Sequence, residues 1–322
     1  MGAGSDVLPE AAPQAALRRR LQAVELVVNP LAGSVGAGAS ELAQQILREF
    51  GLEPRVRTPA PEELSRQIRE AVYSGPDLLI ILAGDGTARA AASLCGAQGP
   101  LLAPLAGGTM NLLPHALYGP KPWPEALREM LELGVERPVS GGQADGQQFH
   151  VNAILGPPAL WAEAREAMRV RRLSLAWRKA KLAWARTFRN HVTFSLDGAP
   201  ARRAEALSLI CPLVSRALPD DVPLLEVAAL RPRSAADAVR LGLHALLSEI
   251  IGDWRKDPAV MVMRRRSGVV CADAGHVHAI LDGEPMRMGR QVEVGFVPVA
   301  FRALAPPRQE TKTEVASSIL QG

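Results

Sequence analysis

Short apolar runs alternate with amphipathic segments along the first third of the chain. Val24–Asn29, Asp77–Ala83 and Leu101–Leu105 have the length and aliphatic content of buried strands. Ser40–Phe50 and Pro61–Tyr73 instead carry apolar residues at helical spacing. Further predicted elements are a strand over Glu53–Thr58 and helices over Gly86–Leu94 and Pro122–Gly134. Strands that alternate with helices predict a parallel sheet covered by helices on both faces.

The pattern changes at about Val139, where apolar and polar residues begin to alternate at a period of two and turn residues recur at short intervals. Such a pattern is typical of an antiparallel sandwich or barrel. Two predicted helices, over about Leu160–Arg189 and Ser234–Ile251, interrupt it. The predicted strands have the sequences QQFHVNAIL, HVTFSLDG, EALSLICPLV, LLEVAAL, AVMVMRRR, VHAILDGE and QVEVGFVPVAFRAL.

These two patterns predict an α/β plus all-β fold. An N-terminal three-layer α/β domain with a parallel sheet is expected over residues 22–138, and a C-terminal antiparallel β-sandwich over residues 139–297. Residues 1–21 are expected to form a flexible N-terminus. Residues 306–322 are polar, contain two prolines, and are expected to form a disordered tail.

Composition narrows the cellular setting. The 322 residues carry a net charge of +4, and the three cysteines are odd in number and far apart, which argues against a disulfide framework and fits a reducing compartment. No apolar run reaches the roughly 18 residues that span a bilayer, and the N-terminus lacks a secretory pattern. We therefore expect a cytoplasmic protein whose contact with membranes is peripheral.

Three glycine-containing turns each follow a predicted strand: Asn29–Ser40, Gly84–Thr87 and Pro104–Asn111. Turns at the carboxyl ends of parallel strands lie at one edge of the sheet, where ligands bind. Glycine lets the backbone approach phosphate oxygens, and free N–H groups at a helix start attract anions. Each turn alone also fits a simple tight connection, but three at one edge favour a phosphate site.

The sequences VVNPLAG, LAGDGTARAAAS, PLAGGTMNLLPHALYG and ILDGEP, in this order, resemble the diacylglycerol kinase catalytic family, which includes bacterial soluble lipid kinases, ceramide kinases and sphingosine kinases. The resemblance extends from about Val24 to Leu304. It implies an N-terminal domain like those of NAD kinases and phosphofructokinases, with ATP bound between the two domains. It also implies that residues 298–305 return to the first domain.

The resemblance further implies which residues contact ATP. Ala83 stands where the family has the first glycine of its GGDGT turn, and Ala90 stands where the family often has a glutamate. A methyl group at position 83 is tolerable where the backbone has a negative φ. The implied nucleotide-binding residues are Asn29, Pro30, Leu31, Ala32, Gly33, Thr58, Ala83, Gly84, Asp85, Gly86, Thr87, Ala88, Arg89, Thr109 and Asn111.

The implied catalytic residues are Asp282 and Glu284. Transfer of a phosphoryl group to an alcohol needs a carboxylate that accepts the hydroxyl proton. Residues two apart in an extended segment point the same way, so both acids are expected to face one cleft, with Glu284 as base and Asp282 as its partner or as a metal-linked acid. The spacing alone also fits a hairpin turn with solvated acids, because Asp-Gly is a common hairpin signal.

The family also has a structural Mg²⁺ site, and its loop resembles Leu218–Val227 here. The implied ligands are the carboxylate of Asp221 and the carbonyl groups of Leu218 and Pro223, since Mg²⁺ prefers oxygen. A Val-Pro pair replaces the family's glycine, and a plain acidic turn is the alternative.

Leu160–Asn190 carries nine Arg or Lys against two Glu, together with three tryptophans. A cationic helix with tryptophan suits an anionic membrane surface, where a lipid kinase meets its substrate. An ordinary amphipathic helix with a solvated charged face is the alternative. No nucleic-acid partner is expected, and a homodimer stays an alternative to a monomer.

These expectations converge on an ATP- and Mg²⁺-dependent lipid kinase, with diacylglycerol as the default acceptor and a sphingoid base or another lipid alcohol as alternatives. An NAD-kinase-like phosphotransferase with a soluble acceptor, and a nucleotide-binding sensor or lipid carrier without catalysis, are the competing interpretations. His150 lies among apolar residues and is expected to be structural.

Overall fold

A computed structural model describes residues 21–156, 191–215, 218, 222–231, 254–273 and 275–307. The predicted helices over Leu160–Arg189 and Ser234–Ile251 lie outside the described residues. So do residues 1–20 and residues 308–322, which contain most of the two predicted flexible ends.

The N-terminal part is a layer of four parallel strands in the order β2-β1-β3-β4, flanked by helices. All residues of β1, β3 and β4 are buried, as expected for strands that are covered on both faces. The strands are β1 (Val24–Val28), β2 (Pro54–Arg57), β3 (Leu78–Ala83) and β4 (Leu101–Ala106). The helices are α1 (Ala39–Glu49), α2 (Leu64–Tyr73), α3 (Asp85–Cys95), α4 (Leu112–Tyr118) and α5 (Trp123–Leu133).

The remaining described elements are nearly all strands. In chain order they are β5 (Val135–Ala144), β6 (Gln147–Phe149), β7 (Asn152–Leu155), β8 (Val192–Leu196), β9 (Arg202–Ala204), β10 (Ala206–Ile210) and β11 (Leu225–Leu230). After a 3₁₀ helix at Trp254–Lys256 come β12 (Val260–Arg265), β13 (Ser267–Ala272), β14 (His278–Leu281), β15 (Glu284–Arg287) and β16 (Gln291–Ala305). The prediction of an α/β part followed by antiparallel strands is confirmed.

The long strand β16 joins the two parts. Near its end, Ala303 pairs in parallel with Leu102 of β4, whereas its first half pairs antiparallel with β13. One ten-stranded sheet therefore runs from the parallel strands into the antiparallel ones. The family resemblance implied that residues 298–305 return to the first domain, and Ala303 lies in that segment. Periodicity alone does not reveal the continuous sheet, because β16 is a single alternating stretch whose partners change along its length.

A second, six-stranded antiparallel sheet has the order β12-β11-β10-β7-β14-β15. It packs on the antiparallel part of the first sheet through a separate apolar core, which includes Phe149, Phe194 and Leu209. One layer of the predicted sandwich is thus the extension of the parallel sheet. Within the described residues, no helix is long and apolar enough to cross a bilayer.

Two sequence predictions need correction. QQFHVNAIL was expected to be one strand, but it forms β6 and β7 with a break at His150 and Val151. The N–H groups of both residues donate to the carboxylate of Asp282 instead of a strand neighbour, which explains the break. The short helix α4 was not predicted, because its seven residues contain Pro114 and follow a glycine turn directly.

Candidate active site

The acid between the two glycines of Gly84–Thr87 links two loops. One oxygen of the Asp85 carboxylate accepts the N–H of Asn111 at 2.8 Å, and the other accepts the N–H of Leu112 at 2.6 Å. Burial raises the pKa of Asp85, while these N–H groups act in the opposite direction. Both oxygens are engaged, so the contribution of Asp85 to the site is to fix the start of α4 beside the turn.

Asn111 completes the third turn from within. Its backbone is left-handed, with φ 52°, a conformation that asparagine tolerates better than most residues. Its side chain accepts the N–H of Gly108 at 2.7 Å and donates to the carbonyl of Gly108 at 3.0 Å. A side chain at Gly108 would approach the Cα of Gly84 to 2.9 Å, so these two turns pack backbone against backbone.

Gly107, the first of the two glycines in the LAGGT segment, also has a structural reason. The N–H of Gly107 donates to the carbonyl of Ala83 at 3.0 Å, and a Cβ on Gly107 would fall 2.8 Å from the nitrogen of Ala83. Ala83 is absent from the described residues with positive φ, so its methyl group is accommodated in place of the family's glycine.

The first loop is tied to the third by Ser34, which the sequence analysis did not single out. Its N–H donates to the carbonyl of Gly107 at 3.0 Å and its hydroxyl to that of Gly108 at 2.9 Å. Within the same loop, the Asn29 side chain accepts the N–H of Leu31 at 3.1 Å. A hydroxyl inside a glycine-rich loop is the signal that could have identified Ser34.

The start of α3 offers free donors at this edge. The N–H groups of Thr87 and Ala88 both donate to the carbonyl of Gly84, at 3.1 and 3.0 Å. The N–H groups of Asp85 and Gly86 have no acceptor among the described residues. Free N–H groups at the N-terminus of an 11-residue helix form a site that attracts phosphate oxygens.

Glu284 reaches this helix start from the other sheet. A Cβ placed on Gly86 would lie 3.0 Å from Oε1 of Glu284 and 3.3 Å from its Cδ. The preceding residue, Gly283, faces Leu112 and Met110, whose side chains lie 3.6 and 3.8 Å from a Cβ built on it. The hairpin between β14 and β15 therefore contacts both the second and the third loop, and the exposed Glu284 carboxylate stands beside Gly86 at the start of α3.

Asp282 occupies a different environment from Glu284. It is 2% exposed, and its carboxylate accepts the N–H groups of His150, Val151 and Asn152 at 2.8, 2.8 and 3.0 Å. Burial raises the pKa of Asp282 to about 6, opposed by these three N–H groups and by Arg89. The two carboxylates do not lie side by side in one cleft. That of Asp282 is buried and anchors the hairpin, whereas that of Glu284 is exposed.

Of the other predicted nucleotide residues, some lie together at the three loops and others lie away from them. A Cβ on Gly33 would lie 3.8 Å from Oγ1 of Thr109, so these two residues are brought together across the first and third loops. Ala88 is 1% exposed and packs into the core, away from the site. Thr58 is exposed at the end of β2, and no hydrogen bond joins it to the three loops within the described residues.

The predicted Mg²⁺ loop is only partly described, because Asp221 lies outside the described residues. The N–H of Leu218 donates to the Ser215 hydroxyl at 3.0 Å, and that hydroxyl donates to the fully buried Glu226 at 2.5 Å. Pro223 is exposed. The described residues include no group of three or more acidic, histidine or cysteine side chains that fits a metal ion.

Residues 23–144 match the family model of the diacylglycerol kinase catalytic domain. None of the curated proteins matches the chain.

Solved structures share the fold. A diacylglycerol kinase from Bacillus anthracis strain Sterne is 17% identical, has a TM-score of 0.64, and is matched over 89% of this chain and 97% of that chain. Two structures of proposed diacylglycerol kinases from the same strain are each 18% identical, with TM-scores of 0.65 and 0.63, over 89% of this chain and 98% of theirs. At these identities the likeness shows the fold alone. The family match over residues 23–144 covers three of the four sequence motifs that resemble this family, and the fourth, ILDGEP, lies beyond it.

Proposed function

We propose that this protein is an ATP- and Mg²⁺-dependent lipid kinase that transfers the γ-phosphoryl group to the hydroxyl of diacylglycerol and so forms phosphatidic acid. The observation that carries the proposal is the position of the Glu284 carboxylate, whose Oε1 lies 3.0 Å from a Cβ built on Gly86. An acid beside a phosphate-binding helix start is the arrangement that phosphoryl transfer to an alcohol requires.

The loops supply the nucleotide site. The free N–H groups of Asp85 and Gly86 donate to phosphate oxygens, and the Thr87 and Thr109 hydroxyls supplement them. Ser34 and Asn111 keep the three loops at fixed spacing, so the donors are already oriented before ATP binds. Mg²⁺, bound with ATP, offsets the charge of the phosphates; the described side chains provide no cluster to hold it, and no step here depends on a protein ligand to it.

The proposed reaction is a transfer of the γ-phosphoryl group from ATP to the acceptor hydroxyl. The acceptor hydroxyl oxygen forms a bond to the γ-phosphorus while the bond from that phosphorus to the β–γ bridging oxygen breaks, and the electron pair leaves with ADP. The hydroxyl proton passes to the carboxylate of Glu284. Asp282 does not touch the reacting atoms in this scheme. Its contacts with the amides of residues 150–152 hold Glu284 in place.

Incubation of the purified protein with γ-labelled ATP, Mg²⁺ and a total lipid extract tests the proposal. We expect label in phosphatidic acid. Label in a phosphorylated sphingoid base would change the acceptor, and label transferred only to NAD would favour the soluble-acceptor alternative. ATP binding without transfer to any lipid would favour the sensor or carrier.

Glu284→Gln tests the role of the base. We expect loss of transfer by about 100-fold or more, with ATP binding retained, because the amide cannot accept the proton. Glu293→Gln is the matched control, since Glu293 is an exposed acid on β16. Full activity of Glu284→Gln would remove Glu284 from the mechanism.

We also propose that the basic segment Leu160–Asn190 docks the enzyme on anionic membranes. Its nine basic residues and three tryptophans favour an anionic headgroup layer. The protein should sediment with phosphatidylglycerol-containing vesicles and be released by salt. Equal binding to phosphatidylcholine vesicles at high salt would contradict electrostatic docking.

A further inference from the structure

Strand β15 lies along the first turns of α3 and touches it at two points. Glu284 stands against Gly86, and two residues later the sulfur of Met286 lies 3.8 Å from Nη1 of Arg89. Residues two apart point to the same side of a strand, and residues three apart lie on the same face of a helix. The two contacts therefore fix how β15 is aligned along α3. The Glu284 contact with Gly86 is one of them, and the Met286 contact with Arg89 is the other.

The Arg89 side chain lies in the interface between α3 and β15. Its Nε is buried and has no hydrogen-bond partner in the described part of the chain, and the thioether of Met286 is only a weak acceptor. A helical side chain leans toward the N-terminus of its helix, so the guanidinium is directed toward the end of α3 that carries the phosphate site. A partly buried cation of this kind needs an opposite charge nearby.

The opposite charge is Asp282, at the tip of the same hairpin. It is 2% exposed and is held by three backbone N–H groups, yet it has no hydrogen-bonded cation within the described residues. Arg89 is the cation that acts on it, and its charge lowers the pKa of Asp282 against the effect of burial. Arg89 belongs to α3, whereas Asp282 and Met286 belong to the hairpin, so the contact with Met286 and the attraction to Asp282 both hold the hairpin against the helix.

The other ionisable groups that act here do not replace this attraction. Burial lowers the pKa of His150 to about 4, which leaves its ring neutral; the backbone of Arg89 opposes this shift, and the charge of Arg89 adds to it. Burial raises the pKa of the Cys211 thiol, and Asp282 adds to the shift. Among the described residues, Arg89 is thus the cation that acts on Asp282.

We propose that Arg89 is a positioning residue that holds the Asp282–Gly283 hairpin, and with it Glu284, against the helix start at Gly86. This inference rests on the proposed function only for its kinetic consequence. It replaces the expectation that Arg89 contacts the nucleotide, and assigns its guanidinium to the interface between the parallel and antiparallel parts of the fold.

Hydrogen–deuterium exchange tests the positioning without reference to activity. In Arg89→Gln the amides of His150, Val151 and Asn152, which donate to Asp282, and the segment 278–290 should exchange about tenfold faster. Arg89→Lys retains the charge and should restore most of the protection. Arg69→Gln is the control, because Arg69 is exposed on α2 and forms no hydrogen bond or ion pair with the described residues.

Steady-state kinetics provide the second readout. Arg89→Gln should lower kcat about 10- to 100-fold, because Glu284 loses its position, while the dissociation constant for ATP changes by less than about threefold. Arg89→Lys should recover part of kcat. A residue that binds phosphate would instead weaken ATP binding.

The outcomes separate a positioning role of Arg89 from a role in nucleotide binding. Unchanged exchange in Arg89→Gln overturns the positioning role, whatever happens to activity. Loss of ATP binding with unchanged exchange returns Arg89 to the nucleotide site. If Arg89→Gln exchanges faster and the wild-type protein phosphorylates no lipid, the positioning role is supported and the proposed function is contradicted, so the two failures are distinguishable.

Discussion

The carboxylate of Glu284 and the backbone of Gly86 lie so close that a methyl group on Gly86 would fall 3.0 Å from Oε1. These residues are almost two hundred positions apart in the sequence, and Gly86 belongs to α3 whereas Glu284 belongs to β15 of the six-stranded sheet. Gly86 does not need its glycine for backbone conformation, since its φ is not positive. Glycine at this position is therefore explained by the approach of the acid.

Gly86→Ala should reduce catalysis without reducing stability. The new methyl group displaces the end of the Glu284 side chain, and we expect kcat to fall about tenfold or more. Alanine favours the helix, so the free energy of unfolding should stay unchanged or rise by up to about 1 kcal/mol. Urea denaturation and steady-state kinetics measure the two effects. Ala90→Ser, at an exposed position of the same helix, is the control, and wild-type kcat in Gly86→Ala would refute the contact.

Asp282→Asn should destabilise the fold by about 2 kcal/mol. Asparagine tolerates the left-handed backbone of Asp282, whose φ is 49°, but its NH₂ group must face a backbone N–H where the carboxylate accepted one. Asp197→Asn is a matched control, because Asp197 also has φ 49° and accepts the N–H of Ser267 at 2.9 Å, yet it is exposed. We expect a cost below about 1 kcal/mol there. If urea titrations gave the same loss of unfolding free energy for Asp282→Asn and Asp197→Asn, burial of Asp282 would not explain the cost.

The Asp-Gly turns show where sequence reasoning stops. Asp145, Asp197 and Asp282 each precede a glycine, each has a positive φ, and each carboxylate accepts backbone N–H groups. The dipeptide predicts all three turns. Only Asp282 has a buried carboxylate, because its hairpin packs against the start of α3 and the amides of residues 150–152. That difference depends on tertiary contacts, which no local pattern encodes.

The sheet edge that carries the three loops was more accessible to prediction. Strand periodicity and glycine turns placed the three loops at one edge of a parallel sheet, because that follows from chain direction alone. The role of Asp85 was not predictable in the same way. Its type suggested a ligand contact, whereas both of its oxygens bind backbone N–H groups of the next loop.

Ser34→Ala should weaken ATP binding while leaving the core intact. The hydroxyl of Ser34 ties the first loop to the carbonyl of Gly108, and a hydrogen bond of this kind contributes about 1 kcal/mol. We expect the KM for ATP to rise about two- to tenfold with little change in Tm. Ser65→Ala, at an exposed position of α2, is the control. An unchanged KM would show that the loops keep their spacing without this bond.

His150 is fully buried, and we expect it to lower the stability of the folded protein at acidic pH. The side chain is 0% exposed, its ring packs edge-on against Phe301 with centroids 5.1 Å apart, and neither ring nitrogen has a hydrogen-bond partner in the described part of the chain. Burial lowers its pKa to about 4, against an ordinary value of 6.5. Between these values the unfolded chain binds a proton that the folded protein does not.

Stability should therefore fall as the pH is lowered from about 6.5 to about 4, by up to about 3 kcal/mol from this residue. Asp282 and Glu205 act in the opposite direction, because burial raises their pKa values to about 6 and about 7. His150→Leu removes only the histidine contribution, so the difference in unfolding free energy between wild type and variant isolates it. Urea titrations at several pH values should show the two curves diverging below pH 6.5, with the variant gaining relative stability. Parallel curves down to pH 4 would mean that the His150 ring accepts its proton inside the folded protein.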